Sequence, residues 1–540
     1  MFRKHPANFL YRTECHTSIS PQSFGPFRCG WKSKDAGLAV EVLYDPARLS
    51  LLIMRNSMPL VVALAGRLHF LACCLLLSLA TLPALAQLDP QTKQLSRDIF
   101  QQLIEINTTD SVGSTTIAAN AMAKRLLDAG FPKQDVVVLG PNDRKGNMVA
   151  RIHGTGAAKP ILFIGHLDVV EALRSDWTTD PFKFVEKDGY FYGRGTQDMK
   201  VSDAILVTTF IRLKKSGFKP DRDLILALTA DEEGGKSNGV DWLLKNHRDL
   251  INAAFVLNAD SGGVDLENGK PVTFNVEATE KLYGDYQLTA TNPGGHSSLP
   301  GPDNAIYHIA DALARLQAYT FPFALNPVTR AYFSRMSELE SGQTAADMKG
   351  ILKTPPSLLA LKHLSLIPKY NATMRTTCVA TRLSGGHANN ALPQTAAANV
   401  NCRILPSYSR EEIRQQLIQI VHDPKVSIRY VNDNGEVRDT APTAKGVPPT
   451  DLKPEVMQPL TKVVAEMWPG VPVVPVMETG ASDGKYTSEA GLPTYGINGI
   501  AIDISDVRAH GKDERVGVDS YYRGVEFYDR YIKMLSGGKQ

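Results

Sequence analysis

Short apolar runs alternate with amphipathic stretches along most of this chain, and this alternation most constrains its fold. The runs at 161–164, 224–229 and 253–257 are uninterrupted, as expected for strands of a sheet that is buried on both faces. Amphipathic stretches such as 203–215 lie between them and have the spacing of helices. The alternation predicts an α/β fold in which helices cover both faces of a sheet.

The chain has 540 residues, which exceeds the usual size of one hydrophobic core. The period changes near Glu280: 281–291 alternates like a strand, 304–318 has helical spacing, and a poorly patterned insertion runs to about residue 370. Two further strands are predicted after the insertion, and the second ends at Arg403-Ile404. Helices are predicted again at 410–422 and 454–468. We therefore predict a smaller α+β domain at 281–405, inserted into an α/β domain formed by 88–280 and 406–540.

The first 86 residues have the pattern of a leader. Arg55 and Arg67 precede the apolar stretch 70–82, and Ala84-Leu85-Ala86 provides an A-x-A site. The apolar run is shorter than the roughly 20 residues that a spanning helix needs. We predict a signal peptide that is cleaved after Ala86, export to the periplasm or the medium, and no stable membrane anchor after processing.

Charge argues against a nucleic-acid partner. The net charge is +3, but residues 1–86 carry nine Lys/Arg against four Asp/Glu, which leaves 50 basic and 52 acidic residues. A chain with this balance offers no electrostatic footprint for nucleic acid.

Only Cys378 and Cys402 follow the leader, so a cluster of thiolates cannot hold a metal in the exported chain. The two cysteines lie at similar distances on either side of Asn390, on runs with the pattern of strands. They could form a disulfide across a hairpin or remain a buried reduced pair.

Acidic and histidine side chains follow the apolar runs at the points where the strands should end. His166 and Asp168 follow 161–164, and Asp260 follows 253–257. Asp198 closes a Gly-rich loop before the helix at 203–215. Ligands bind at the carboxyl ends of strands in open α/β sheets. His166 could bind a metal while Asp168 supports it, and Asp198 could bridge two cations.

Asp231-Glu232-Glu233 follows the run 224–229. Adjacent acids at a strand end either point into solvent or are held by cations, since buried uncompensated carboxylates are very costly. A site with two metals resolves the conflict: Glu233 binds a metal, and Glu232 stays free as a general base. His510 is a candidate metal ligand only because it would complete such a site.

The inserted domain offers three further polar residues. His296, in a Gly-rich loop, could polarise a substrate carbonyl, and Arg403 could clamp a carboxylate. Asn390 has the context of a turn residue. On the residues alone, a solvated loop or strand end is the favoured interpretation of His296 and Arg403, and a turn is the favoured interpretation of Asn390.

The chain resembles the M20 family of metallopeptidases and amidohydrolases, nearest to the branch of carboxypeptidase S and N-acyl-amino-acid hydrolases. The motifs that carry the resemblance are His166-Leu167-Asp168-Val169-Val170, Gly193-Arg194-Gly195 through Asp198-Met199-Lys200, Asp231-Glu232-Glu233-Gly234-Gly235, Gly294-Gly295-His296-Ser297-Ser298, Asn390-Ala391-Leu392-Pro393 and Arg508-Ala509-His510-Gly511. Their order and spacing agree over nearly all of residues 90–537.

The resemblance implies a zinc-exopeptidase-like catalytic domain and an inserted lid and dimerisation domain. It implies two Zn²⁺ ions, for which Co²⁺ or Mn²⁺ could substitute. The first would be held by His166, Asp198 and Asp260, and the second by Asp198, Glu233 and His510. Glu232 would be the base and Asp168 would orient His166. His296 would reach the site of a neighbouring subunit in a homodimer, and Asn390 and Arg403 would contact substrate.

These features predict a metal-dependent hydrolase that cleaves amide bonds of small substrates with a free carboxylate. A carboxypeptidase or dipeptidase and an N-acyl-amino-acid amidohydrolase are the two alternatives within that class. Gly480-Ala481-Ser482-Asp483-Gly484, with Asp503 and His510, also fits the order of a serine hydrolase triad, but it leaves the upstream acids unexplained. A periplasmic binding protein without catalysis is the remaining alternative.

Overall fold

The structure is a computed structural model that describes residues 88–537. The predicted signal peptide and its cleavage site lie outside the described residues. Within 88–537, no helix combines the length and the apolar character needed to cross a membrane.

Helices and strands alternate through most of the described chain. The α-helices are α1 (Pro90–Glu105), α2 (Thr115–Asp128), α3 (Lys200–Lys215), α4 (Gly239–Asn246), α5 (Arg248–Ile251), α6 (Ala305–Ala318), α7 (Pro327–Leu339), α8 (Gly342–Ile351), α9 (Leu358–Ser365), α10 (Pro368–Met374), α11 (Arg410–Val421), α12 (Pro454–Met467), α13 (Gly484–Glu489) and α14 (Val518–Leu535). The strands are β1 (Val136–Leu139), β2 (Asn147–Ile152), β3 (Ile161–His166), β4 (Val185–Lys187), β5 (Tyr190–Tyr192), β6 (Leu224–Thr229), β7 (Phe255–Asn258), β8 (Gly263–Glu267), β9 (Lys270–Glu280), β10 (Leu282–Thr291), β11 (Gly295–His296), β12 (Thr377–Gly385), β13 (Ala391–Leu392), β14 (Thr395–Ile404), β15 (Val426–Val431), β16 (Val437–Arg438), β17 (Val473–Glu478), β18 (Thr494–Gly496), β19 (Ala501–Asp503) and β20 (Arg515–Gly517).

The larger sheet confirms the predicted α/β fold. Its strands follow the order β1-β2-β6-β3-β7-β18-β9-β8-β19, and β17 pairs with β9. The central strands β6, β3, β7 and β18 are parallel. Side chains of β3 alternate between two cores, with Ile161 and Phe163 in one and Leu162 and Ile164 in the other. Since successive side chains of a strand point to opposite faces, helices are needed on both sides of this sheet.

The smaller sheet is antiparallel, with strand order β12-β14-β10-β15-β16. Its apolar side chains share one core with α6 and α11. The first strand of this sheet, β10, begins at Leu282, directly after β9 of the larger sheet ends at Glu280. Lys281 alone separates the two sheets at this point.

The predicted return to the α/β domain at residue 406 is wrong. Strand β15 pairs with β10 along Asp285 to Ala290, and Ile413, Leu417 and Val421 of α11 lie in the core of the smaller sheet. The periodicity of α11 identifies its apolar face, but two sheets are available to cover that face. Pairing of β15 decides between them, so the segment up to β16 belongs with the smaller sheet.

The stretch predicted as poorly patterned contains four helices, α7 to α10. They surround a separate core that includes Tyr332, Phe333, Met348 and Met374, and Val474 of β17 belongs to the same core. Helices of 7 to 13 residues give too few turns for a clear period. This helical insertion therefore packs on the β17 edge of the larger sheet.

Cys378 and Cys402 are disulfide-bonded. They lie directly opposite each other on β12 and β14. Of the two alternatives that the sequence left open, the structure has the disulfide across neighbouring strands.

Candidate metal centre

Five side chains from separate segments meet at the carboxyl ends of the central parallel strands. His166 is the last residue of β3, Asp198 precedes α3, Glu233 follows β6, Asp260 follows β7 and His510 lies in the loop after β19. They form two sets of three, His166 with Asp198 and Asp260, and Asp198 with Glu233 and His510. Within each set, the atoms that could bind a metal lie within 4.8 Å of one another.

Asp198 belongs to both sets because its two oxygens face different imidazoles. Its Oδ1 lies 3.2 Å from His166 Nε2, and its Oδ2 lies 3.1 Å from His510 Nε2. Asp260 Oδ1 completes the first set at 3.5 Å from His166 Nε2. Glu233 Oε2 completes the second at 2.9 Å from His510 Nε2. A carboxylate in this position can join two cations.

The buried ring of His166 supports the fit of a cation here. Its Nδ1 contacts the carbonyl oxygen of Asp168 at 3.0 Å, whereas its Nε2 is buried and has no hydrogen-bond partner among the described residues. A buried ring nitrogen that faces carboxylate oxygens is the arrangement expected of a metal ligand. Imidazole and carboxylate donors suit Zn²⁺ and also accept Co²⁺ or Mn²⁺.

Asp168 supports the site differently from the sequence prediction. Its carboxylate was expected to hold the ring of His166, but Oδ1 lies 3.7 Å from His166 Nδ1. The carboxylate instead accepts hydrogen bonds from the main-chain N–H groups of Glu232, at 3.1 Å, and Glu233, at 2.9 Å. Burial raises the pKa of Asp168 to about 7, against the opposing effect of His166. Asp168 thus orients the ring through its carbonyl and fixes the Glu232–Glu233 turn through its side chain.

The three adjacent acids after β6 point in different directions. Asp231 has φ 58°, and its carboxylate turns away to accept a hydrogen bond from Lys145. Glu233 faces His510, and Glu232 Oε2 lies 3.8 Å from His166 Nε2. The left-handed backbone at Asp231 separates the acids, so Glu232 stands beside the two ligand sets without belonging to either.

A buried ion pair that the sequence analysis missed holds the loop before α3. Glu514 Oε1 accepts hydrogen bonds from the N–H groups of Gln197, at 2.6 Å, and Asp198, at 3.1 Å. Its other oxygen lies 2.5 Å from Arg194, whose guanidinium stacks over the ring of Trp177 at 5.1 Å. Arg194 belongs to the sequence motif Gly193-Arg194-Gly195. No local pattern marks Glu514, which lies in the polar stretch 512–515.

The side chain of Gln197 fixes the loop that carries His510. Its Oε1 accepts hydrogen bonds from the N–H groups of Arg508, at 2.7 Å, and Ala509, at 3.0 Å. Its Nε2 donates to the carbonyl oxygens of Asp506 and Arg515. Gln197 therefore fixes the main chain just before His510, and the adjacent Asp198 contacts the imidazole of His510.

The pKa values in this site reflect the crowding of carboxylates. Burial and then Asp260 raise the pKa of Glu232 well above its usual range, despite His166. Hydrogen bonds to Asp198 and Glu233 raise the pKa of His510 to about 10. Burial opposes the ionisation of Asp198, but its close contacts with the imidazoles of His166 and His510 outweigh burial and lower its pKa. The carboxylates therefore favour positive charge at the imidazole of His510 that faces them.

Ser482, the nucleophile of the serine-hydrolase alternative, does not form the triad. Its hydroxyl donates to Glu280 Oε2 at 3.0 Å and accepts from Asn258 Nδ2 at 3.0 Å. His510 faces Asp198 and Glu233, and Asp503 accepts bonds from Gly269 and Ser505. Among the described residues, no hydrogen bond joins the three supposed members.

The remaining three predicted residues lie on segments of the smaller sheet or beside it. His296 and Asn390 are exposed neighbours: β11 pairs with β13, and the N–H of Ser297 donates to the carbonyl of Asn390 at 3.1 Å. Arg403 is half-buried on β14, and its guanidinium lies over the ring of Tyr283 at 4.8 Å. No hydrogen bond or ion pair within 88–537 links these three to the five clustered side chains.

Comparison with known proteins agrees with this architecture. Residues 162–534 match the model of peptidase family M20/M25/M40. The N-fatty-acyl-amino acid synthase/hydrolase PM20D1 of Xenopus tropicalis is 29% identical over 382 residues, which cover 69% of this chain and 72% of that protein. The probable carboxypeptidase S-like 2 of Dictyostelium discoideum is 29% identical over 383 residues, covering 69% and 71%.

A solved structure shows the same fold at low sequence identity. The M20 family metallo-carboxypeptidase Sso-CP2 from Sulfolobus solfataricus superimposes with a TM-score of 0.61 at 16% identity, over 83% of this chain and 100% of that one. The resemblance found in the sequence motifs is thereby confirmed. This chain belongs to peptidase family M20/M25/M40 and is a hydrolase of the metallopeptidase class.

Proposed function

We propose that this protein hydrolyses the amide bond of a small substrate with a free carboxylate, using two divalent cations, in the first instance Zn²⁺. One observation carries the proposal: Asp198 offers one oxygen to each of two ligand sets, and the free carboxylate of Glu232 stands beside them. Ions bound there would polarise the substrate carbonyl and lower the pKa of a water molecule.

The residues of the chain have separate tasks in this reaction. His166, Asp260, Glu233 and His510 hold the cations, with Asp198 between them. Glu232 takes a proton from the attacking water and returns it to the leaving amine, because it is the nearby carboxylate that neither ligand set uses. Burial keeps its pKa above the usual range, which suits a group that must accept and then donate a proton.

Charge supports two cations rather than one. Asp198, Glu233 and Asp260 carry three negative charges in a largely buried site, and the hydroxide that attacks the substrate would add a fourth. Two divalent cations balance four negative charges, so the loaded site has no net charge to bury. A single cation would leave an excess of negative charge beside Glu232.

Substrate recognition is assigned to the smaller sheet. Arg403 would bind the free carboxylate, His296 would polarise the carbonyl that is attacked, and Asn390 would contact substrate. Because His296 and Asn390 are exposed and, within 88–537, make no hydrogen bond or ion pair with the ligand sets, we propose that they act in the site of a second subunit.

A homodimer through the smaller sheet would supply that second subunit. Strand β12 lies at the edge of this sheet, and its side chains Val379 and Leu383 are 60% and 68% exposed. An exposed apolar edge strand favours pairing with another chain. Sedimentation velocity at several protein concentrations would detect the dimer, and a monomer that retains full activity would contradict the role of His296 in a neighbouring site.

Two substrate classes fit the site. Carboxypeptidase or dipeptidase activity is the first candidate, and the carboxypeptidase S-like relative is consistent with it. The second is hydrolysis of N-acyl amino acids, which the name of the PM20D1 relative favours. A panel of dipeptides, N-terminally blocked dipeptides and N-acyl amino acids of increasing chain length separates the two classes. Only a peptidase requires an amino-acid residue on the acyl side of the bond that is cleaved.

The test of the mechanism pairs Glu232→Gln with Glu233→Gln. Glu232→Gln should keep both metal ions and lower kcat by about 10²–10⁴-fold or more, whereas Glu233→Gln should lose metal from the set that contains His510. Metal content is measured by mass spectrometry and turnover on the best substrate of the panel. Activity that survives complete removal of metal, or a Glu232→Gln variant with normal turnover, would refute the proposal.

We also propose that the protein acts outside the cytoplasm, on the strength of the leader pattern at residues 54–86. Expression of the full chain followed by N-terminal sequencing of the exported protein tests this. The expected first residue is Gln87, and retention of the leader in the cytoplasmic fraction would contradict the proposal.

A further inference from the structure

Helix α9 and the residues that follow it expose an apolar surface. Leu358, Leu359 and Leu366 are 81%, 61% and 77% exposed, and Ile367 is also exposed. We call these four residues the leucine face. Four large aliphatic side chains in one stretch of ten residues are more than the isolated exposed apolar residues that soluble proteins usually carry.

The leucine face is one side of an amphipathic helix. At 100° per residue, Leu358, Leu359 and Leu366 fall within an arc of about 100°, and Lys362 lies between them. Ala360 and Leu364 point to the opposite side and are buried in the core of the helical insertion. The inner side therefore anchors the helix, and the outer side has no partner within the described part of the chain.

The charge around the leucine face has one sign. No Asp or Glu occurs between residues 348 and 410, a stretch that carries eight Lys and Arg residues. Lys353, Lys362 and Lys369 are exposed next to the leucines. Three acids from outside this stretch contact it: Asp347 is buried and accepts a bond from His363 Nδ1 at 2.9 Å, Glu340 accepts a hydrogen bond from the hydroxyl of Tyr370 at 2.9 Å, and Asp265 lies 3.9 Å from Lys369 Nζ.

We propose that the leucine face docks this protein on the surface of an anionic phospholipid bilayer. Exposed leucines interspersed with lysines are the composition of helices that lie in the membrane interface, where the apolar side enters the acyl region and the lysines contact anionic headgroups. Lys353, Lys362 and Lys369 have long stems that can lie along the apolar surface while the ammonium groups reach the phosphates. This proposal is independent of which amide bond the protein cleaves.

A second copy of the chain fits this surface less well. In a two-fold interface the same patch faces itself, so Lys362 would approach its own symmetry mate at the centre of the contact. The leucine face itself supplies no acid to compensate, because the segment that carries it has no Asp or Glu from residue 348 to residue 410. An anionic bilayer provides the opposite charge that such a dimer lacks.

The test measures binding of the purified chain, with the same N terminus in every variant, to phosphatidylcholine vesicles and to vesicles that also contain 30% phosphatidylglycerol. Wild type should co-sediment with the anionic vesicles and be released as salt rises. Leu358→Ser with Leu359→Ser should reduce this binding about tenfold or more, and Lys362→Glu should weaken it on anionic vesicles. Turnover of a soluble substrate should be unchanged, because these residues lie outside the metal centre.

The matched control is Val112→Ser with Ile117→Ser, which removes two exposed aliphatic side chains from another surface and should bind like wild type. Circular dichroism checks that every variant is folded, and Leu366→Ser provides a second, single-site variant. Absence of binding to anionic vesicles, or binding that neither leucine variant reduces, overturns the proposal. So does a dimer in sedimentation velocity that the double leucine variant converts to a monomer, since the partner would then be a second copy.

Discussion

Glu514→Gln is the perturbation that most directly tests how the metal centre is held in place. Glu514 is fully buried and Arg194 is 2% exposed, and the two side chains meet at 2.5 Å. The substitution keeps the size of the side chain but removes its charge and turns an amide N–H₂ group toward the guanidinium. Arg194 is left as a buried cation without a carboxylate partner, which costs about 3–5 kcal/mol.

The same substitution should weaken metal binding. The carboxylate of Glu514 accepts the N–H groups of Gln197 and Asp198, and a neutral amide oxygen accepts them less strongly. Loss of such support behind a metal ligand lowers metal affinity by about 10–100-fold. Because Asp198 belongs to both ligand sets, we expect both metals to bind more weakly.

The assay is urea unfolding of the metal-free protein, followed by tryptophan fluorescence and by circular dichroism, together with zinc titration against a chelator. Glu489→Gln, at an exposed position, is the matched control and should change the free energy of unfolding by no more than about 0.5 kcal/mol. Arg194→Met combined with Glu514→Gln should cost less than the sum of the single variants. A loss below about 1 kcal/mol for Glu514→Gln, with strict additivity and unchanged zinc affinity, would refute this account of the pair.

Three further outcomes follow from the structure. Zinc binding at pH 7 should release protons, because hydrogen bonds to two carboxylates raise the pKa of His510 to about 10 and a ligand imidazole must be neutral. Calorimetry in two buffers of different ionisation enthalpy measures the number of protons released. Burial and the neighbouring guanidinium of Arg403 lower the pKa of Lys281 to about 7. Between pH 7 and 10 the unfolded chain therefore binds more protons at this residue than the folded chain does. The free energy of unfolding should then rise with pH by up to about 1.4 kcal/mol per pH unit. Urea unfolding of Lys281→Met should lack that rise. Replacing Cys378 and Cys402 by Ser opens a link across 24 residues and should cost about 3 kcal/mol, measured by urea unfolding with and without reductant.

The strands and the residues at their ends could be predicted from sequence for a physical reason. A strand buried on both faces must be apolar throughout, so the runs around 161–164 and 224–229 stand out from their surroundings. A polar residue directly after such a run is placed at the edge of the sheet. His166 and Glu233 are therefore identified by position, and the structure brings them to one place.

Pairing and burial could not be predicted in the same way. Helix α11 has a clear apolar face, but its sequence does not say that β10 and β15 form the sheet that covers it. Glu514 lies in a polar stretch that is typical of a solvated loop, and only the approach of Arg194, 320 positions away, makes it buried. Long-range partners of this kind leave no periodic trace in the chain.

The candidate metal centre is held mainly by carboxylates that bind main-chain N–H groups, and this explains how loops can carry a rigid site. Asp168 fixes the turn of Glu232 and Glu233, and Glu514 fixes the main chain at Asp198. A side chain that binds the backbone of a loop restricts every residue of that turn, whereas a bond between two side chains restricts only those two. The ligands are thus positioned on the larger sheet before any substrate arrives.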